Sequence, residues 1–211
     1  MSDKLVSLKP LIMSFCKGDP NENPWVNGIK RIPEPIIVVP YDTEWDNIYN
    51  EEKNKIQQQL QEKIISIAHI GSTAVPGLPA KPIIDIDLIV ADPSQEIDYI
   101  PALEKLGYVL RIREPSWYQH RMLRLDSPRV NLHIFGEHCP EYIRHLLFRN
   151  WLRNHENDRQ RYEIAKLAAI EGAVHVMDYN NNKNQVIKDI YEKIFNNIDN
   201  CLSELDISHY A

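Results

Sequence analysis

Two short apolar runs, residues 64–70 and 83–90, flank the loop Gly71-Ser-Thr-Ala-Val-Pro-Gly-Leu-Pro-Ala-Lys-Pro82, and this arrangement limits the fold more than any other feature of the chain. Three prolines and two glycines keep the loop from becoming a long helix, and each flanking run reads as a strand. The second run carries Asp85 and Asp87 among its apolar residues. Strand side chains alternate between faces, so both carboxylates project from the same one. Two like charges on a hydrophobic strand repel each other and resist burial, so something must compensate them.

The rest of the pattern surrounds this pair with a mixed sheet. Ile36–Val39 reads as a short strand, and Asp42 or Thr43 opens a helix in which Trp45, Ile48, Tyr49, Ile56 and Leu60 share a face. Pro93-Ser94 starts a helix that runs to Leu106 and stops at Gly107. Three further strands follow at 108–112, 118–125 and 130–135, the last two as a hairpin across Asp126–Arg129. From Cys139 the pattern turns helical, over about 140–154, 156–171 and 184–199, with Asn180–Asn182 as a polar linker. The expected fold is α/β (α+β): a mixed sheet flanked by helices, with a helical C-terminal third. Residues 1–34, punctuated by Pro10, Pro20, Pro24 and Pro33, read as an irregular leader without a fold of their own. The domain is expected over 35–200, with its sheet core in 36–136 and its helical part in 140–199, leaving 201–211 as a tail.

Composition narrows the class. The 211 residues carry a formal charge of −6, and 43% are hydrophobic, an ordinary globular balance. No apolar run reaches the ~18–20 residues of a membrane span, and the first residues have no apolar signal core. Cys16, Cys139 and Cys201 form no C-x-x-C and read as reduced thiols, so the expected compartment is cytoplasmic and no membrane partner is expected. Ten of the eleven arginines lie between Arg111 and Arg161. They read either as a solvated, salt-bridged surface or as a recognition surface for an anionic substrate.

The chemistry concentrates in 69–87. A hard divalent cation would relieve the repulsion between Asp85 and Asp87, and Mg²⁺ or Mn²⁺ commonly takes one or two carboxylates plus substrate phosphates. Gly71 lets backbone N–H groups approach a phosphate, and the Ser72 hydroxyl adds a donor. Lys81 could neutralise phosphate as a point charge or simply pair with Asp85. Arg124 and His120 share one strand face and Arg121 the other, while Arg149 and Arg153 share a helix face with His145 as an anion clamp or a solvated stripe. His69, just before the loop, is either part of the site or a hydrogen-bonded strand residue.

This arrangement is similar to the Gly-Ser…D-x-D signature of the nucleotidyltransferase superfamily, the DNA polymerase β-like fold. More specifically, the chain resembles the GrpB family. The matching pieces are Val39-Pro-Tyr-Asp-Thr-Glu-Trp45, His69-Ile-Gly-Ser-Thr-Ala-Val-Pro-Gly-Leu78, Lys81-Pro-Ile-Ile-Asp-Ile86, Leu106-Gly-Tyr108, Leu132-His-Ile134 and His145-Leu-Leu-Phe-Arg-Asn150. The resemblance implies a metal- and nucleotide-handling site, with Gly71 and Ser72 near phosphate, Asp85 and Asp87 on the metal, and a nucleoside triphosphate as co-substrate. Active members of the superfamily usually add a third carboxylate from a neighbouring strand. The corresponding strand here, Val130–Phe135, has none. His133 is the polar residue expected to face the aspartates, as a general base, a metal ligand or a structural hydrogen-bonding group. Asp126 or Glu137 could supply the carboxylate from a loop.

Two functions follow. The first is a metal-dependent nucleotidyltransferase acting on an unknown small-molecule or protein acceptor, with Asp85, Asp87 and His133 catalytic and Gly71, Ser72, Lys81, Arg124 and Arg149 binding the nucleotide. The second is a non-catalytic nucleotide- or phosphometabolite-binding module of the same fold. Nucleic acid is not the expected partner, because the net charge is negative and no basic strand is interleaved with aromatics.

Overall fold

Ile84, Ile86, Leu88 and Val90 alternate with Asp85, Asp87 and Ile89, and this period of two puts one strand between two different layers. The computed structural model of the protein describes residues 3–28, 37–171 and 184–205. In chain order its elements are α1 (Asp3–Ile12), α2 (Glu44–Leu60), β1 (Ser66–Ile70), β2 (Ile84–Val90), α3 (Ile100–Glu104), β3 (Val109–Glu114), β4 (His120–Leu125), β5 (Val130–Gly136), α4 (Pro140–Asn154), α5 (Glu156–Glu171), α6 (Asn184–Asn196) and α7 (Ile198–Ser203). The strands form a mixed five-stranded sheet in the order β1-β2-β5-β4-β3. Of its pairs, β2 with β5 is parallel and the other three are antiparallel.

One face of the sheet packs Ile84, Ile86, Leu88, Leu132 and Ile134 against Trp45, Ile56 and Leu60 of α2 and Leu103 of α3. The other packs Ile70, Ile89 and Phe135 against Ile143, Leu146 and Leu147 of α4 and the C-terminal helices. Burying each such side chain contributes about 1.5–3 kcal/mol. The mixed sheet flanked by helices is the fold that the strand order implies. No helix among the described residues is long and apolar enough to cross a membrane.

Several local expectations are corrected. Of the strand expected at Ile36–Val39, Ile36 lies outside the described residues and Val39 makes only an isolated bridge with Ala80. Pro40, Pro79 and Pro82 flank that bridge, and without N–H groups they cannot extend a ladder. The helix expected from Pro93 is a 3₁₀ turn at Glu96–Asp98 followed by the short α3. Asp92 accepts the Ser94 N–H at 2.8 Å and makes a turn there, and Pro101 suits only the start of a new helix. The last helix breaks at Asn197, so Cys201 to Ser203 belong to α7 rather than to a tail. The Asn180–Asn182 linker lies outside the described residues.

The described part of the leader, residues 3–28, is also ordered. Residues 3–12 form α1, which buries Leu5 and Ile12, while Trp25 bridges Ile112 of β3. Pro10 suggested irregular chain, but a tertiary contact stabilises the helix end. Fully buried Arg144 of α4 donates to the carbonyls of Leu11, Ile12 and Ser14 at 2.8, 3.1 and 2.8 Å, and pairs with Glu141. A guanidinium here satisfies carbonyls that a helix C-terminus leaves open. Arg144→Met should therefore lower unfolding stability by about 3–5 kcal/mol, the range for breaking a buried ion pair, and expose the segment before Glu22 to limited proteolysis. An unchanged urea midpoint and cleavage pattern would show that Arg144 does not anchor α1.

Candidate functional site

The turn after β1 is shaped by one close approach. Gly71 has φ +72°, and a Cβ placed on it would lie 2.6 Å from Oδ2 of Asp85. Only glycine fits both the backbone conformation and the neighbouring carboxylate. Ser72–Ala74 then forms a 3₁₀ turn held from three sides. Thr73 donates its hydroxyl to the Ile83 carbonyl at 3.1 Å, while Arg149 donates to the His69 carbonyl at 2.9 Å and Arg153 to the Ala74 carbonyl at 2.8 Å. The Gly-Ser turn and the D-x-D strand thus meet at one rim of the sheet, with Ile70 in register with Asp85.

Each aspartate has a built-in partner. Oδ1 of Asp85 accepts from the Asn131 amide at 2.9 Å and lies 4.0 Å from Nε2 of His133. Asp87 is fully buried, and its Oδ2 accepts from Nδ1 of His145 at 2.7 Å. Burial opposes charge on His145, but the Asp87 carboxylate and its hydrogen bond, helped by Glu141, prevail and raise the pKa to about 10. His145 is therefore a cation lodged against Asp87. The other Asp87 oxygen, Oδ1, is buried with no hydrogen-bond partner. His133 behaves oppositely: burial, and then the nearby His120 and His145, push its pKa well down, so it is neutral.

These contacts sort the candidates. Gly71 abuts Asp85, Ser72 follows in the same turn, and Asp85, Asp87 and His133 share the face of β2 and β5 on which α4 sets His145. Lys81 lies half-buried in the loop before β2. Arg124 shares the cleft's sheet face, but its guanidinium turns to Asp126. Arg149 lies beneath the turn, bonded to the His69 carbonyl and to Asn150, and so holds the turn in place. The arginine-rich segment does not gather into one anionic-substrate patch. Arg113 and Arg121 pair with Glu96, Arg124 and Arg129 with Asp126, and Arg161 with Asp158 and Asp189. Asp126 is thereby committed elsewhere, and Glu137 lies past the far end of β5 beside His138. Neither supplies a third carboxylate. At the places on β5 beside Asp85 and Asp87 stand Asn131 and His133.

The alternation along β2 and β5 foreshadowed the Asp85–Asp87–His133 face. It did not reveal that α4 brings His145 onto Asp87, although the stripe His145, Arg149 and Arg153 at every fourth residue was the available signal. His69 points to the opposite face, stacked on Tyr49 at 4.8 Å, with Nε2 donating to Thr73 at 3.0 Å. Its role in the geometry is structural. Burial, reinforced by Arg153 and Arg149 against the opposing pull of Asp46, lowers its pKa from 6.5 to about 4.

A divalent cation can be tested against this donor set. Among the described residues no group of three or more His, Cys, Asp or Glu side chains could hold a metal ion. The orphaned Oδ1 of Asp87 and the Asp85 carboxylate across from Gly71 nonetheless offer two oxygens on one face. Such a pair fits a cation that arrives with phosphate oxygens and water, not a resident cage.

The fold and cleft define an α+β protein whose mixed sheet presents two carboxylates beside a glycine turn. The chain belongs to the GrpB family: that family's profile, described as GrpB protein, matches residues 35–193. It is 41% identical over 170 residues to a UPF0157 protein of Halalkalibacterium halodurans, covering 80% of this chain and 87% of the relative. A UPF0157 protein of Streptomyces coelicolor is 40% identical over 70% of this chain and 77% of its own length. The crystal structure of conserved protein GrpB from Enterococcus faecalis superposes with a TM-score of 0.63 at 29% identity, covering 75% of this chain and 99% of that one.

The His69 shift carries a pH dependence with a definite sign. Between pH about 6.5 and about 4 the unfolded chain protonates His69 while the folded chain does not. The stability its neutral form contributes is present above pH 6.5 and lost as the pH falls through 4. His69→Gln should flatten that part of the acid decline measured by chemical unfolding. A decline of equal steepness in the variant would rule out the assignment.

Proposed function

We propose that this protein is a metal-dependent nucleotidyltransferase of the GrpB family that transfers a nucleotidyl group from a nucleoside triphosphate to a hydroxyl-bearing acceptor. The observation that supports this most directly is the convergence of the Gly71-Ser72 turn with Asp85 and the orphaned buried Oδ1 of Asp87. In this reading the backbone of Gly71-Ser72 and the Ser72 hydroxyl bind phosphate, Asp85 and Asp87 hold Mg²⁺ or Mn²⁺, and Arg149 keeps the turn in place. Lys81 and the exposed Arg153 add positive charge near the phosphates, and Arg124 stands further out on the same sheet face. The cation would supply electrostatic stabilisation of the phosphate under attack. Neutral His133 takes the acceptor's hydroxyl proton on Nε2 as the acceptor oxygen bonds to phosphorus and pyrophosphate departs.

A second reading has its own support. Asn131 and His133 occupy the places on β5 where a third carboxylate is expected, and Asp126 and Glu137 are engaged elsewhere. A cleft that binds a metal-nucleotide without activating an acceptor, a non-catalytic nucleotide-binding module, matches that pattern.

Calorimetric titration of each nucleoside triphosphate, with and without Mg²⁺, tests the binding both readings share. Asp85→Asn and Asp87→Asn should each abolish Mg²⁺-dependent affinity. Asp87→Asn should also lower thermal stability, since it strips His145 of its counter-charge. Unchanged Mg²⁺-nucleotide affinity in both variants would defeat either reading. Transfer of an α-labelled nucleotide then separates them. If transfer occurs, His133→Ala should reduce kcat by about two to four orders of magnitude with nucleotide affinity retained; saturable binding without transfer selects the module.

A further inference from the structure

His133 is the inner end of a row of polar side chains that crosses three strands to the edge of the sheet. Its Nδ1 lies 3.0 Å from Nε2 of His120 on β4, with the ring planes within 20° of each other. His120 is buried and held between Phe135, stacked at 4.7 Å, and Trp117, edge-on at 5.1 Å. Its Nδ1 lies 2.7 Å from Oε2 of Glu114 on β3. Glu114 in turn lines a surface cleft of about 360 Å³ together with Lys17, Ser116 and Trp117. The sheet register places these side chains on one face: Glu114 pairs with His120, and Met122, two residues along β4, pairs with His133.

The order of the row dictates where the hydrogens sit. A carboxylate only accepts, so Nδ1 of His120 carries the proton that Glu114 receives. Where His120 carries that one proton alone, its Nε2 is an acceptor and takes the hydrogen bond from Nδ1–H of His133. His133 is left with a bare Nε2, the nitrogen 4.0 Å from Oδ1 of Asp85. Without this row His133 could present N–H to the cleft, which would serve a hydrogen-bond donor but not an acceptor of protons.

We propose that Glu114 and His120 are positioning residues that hold His133 in its Nδ1–H tautomer, with the Nε2 lone pair facing the cleft beside Asp85. The function of that lone pair rests on the transfer reading above; the tautomer itself does not. Glu114 reaches His133 through His120, and His133 in turn lies beside Asp85. They occupy the role of the absent third carboxylate at one remove: a carboxylate is present, but two imidazoles stand between it and the cleft.

The test is nuclear magnetic resonance of the full chain labelled with ¹⁵N-histidine, at about pH 8, above the ordinary histidine range. Two-bond ¹H–¹⁵N correlations should show His120 and His133 each protonated on Nδ1 and bare on Nε2. A protonated Nε2 on His133, or a doubly protonated His120, would overturn the proposal. In Glu114→Ala, His133 should lose its single tautomer and show a protonated Nε2 population; His120→Phe, which keeps a ring between Phe135 and Trp117, should do the same. An unperturbed His133 spectrum in a folded form of either variant would also overturn it. If nucleotidyl transfer is measurable, Glu114→Ala should lower kcat by about tenfold or more, with the nucleotide KM unchanged and partial recovery in Glu114→Asp. An unchanged kcat counts against the positioning role. A correct tautomer in a protein that transfers to no acceptor overturns the transfer reading alone, whereas transfer by a protein whose His133 bears Nε2–H overturns only this inference.

Discussion

A carboxylate buried beneath a helix requires a counter-charge, and Asp87 obtains it from His145. This pair joins β2, an interior strand of the sheet, to the helix that covers it, across 58 residues of sequence. Desolvation would otherwise protonate the acid or expel it from the core. With the imidazolium in place, α4 lies at a set position over β2 and β5. That position allows Arg149 and Arg153 to reach the carbonyls on either side of the Gly-Ser turn. The same helix also turns Arg144 toward the end of α1. One helix therefore binds the strand, the turn and the N-terminal segment into a single arrangement.

The two faces of the sheet divide the work. The face toward α2 and α3 is filled with Ile84, Ile86, Leu88, Leu132 and Ile134, and it supplies apolar burial without polar chemistry. The face toward α4 is apolar at Ile70, Ile89 and Phe135 but carries Asp85, Asp87, Asn131, His133 and His120 between them. Polar side chains are tolerated there because nearly every one has a named partner, as buried polar groups require. Oδ1 of Asp87 is the exception: it is buried without a hydrogen-bond partner.

The charge pattern left two readings open that only the fold separates. Ten arginines within 51 residues of chain fitted either a salt-bridged surface or a surface for an anionic substrate, and most of these guanidiniums are in ion pairs within the chain. Glu96 holds two of them and Asp126 two more. Spacing along the chain shows where charge is made, but neutralisation depends on which acidic side chains the fold brings alongside.

The sequence by itself determined the local structure around the cleft. Loop prolines and glycines separated β1 from β2, the period of two put Asp85 and Asp87 on one face, and the same alternation placed His120 and Arg124 together on β4. It also carried the GrpB resemblance, through the run from His69 to Leu78. What it could not determine was every contact that depends on the distance between elements. The Asp87–His145 pair, the anchoring of α1 by Arg144 and the row from Glu114 to His133 each join residues from different elements. Periodicity records which side chains share a face of one helix or strand; it holds no information about which other element will cover that face. The helix at Asp3–Ile12 escaped notice for the same reason. Pro10 weakens a helix when only its neighbours are considered, and the compensating guanidinium is 133 residues away from Leu11. Long-range packing settled these points because buried charges and open carbonyls are satisfied by whatever donor the fold delivers, wherever in the chain it originates.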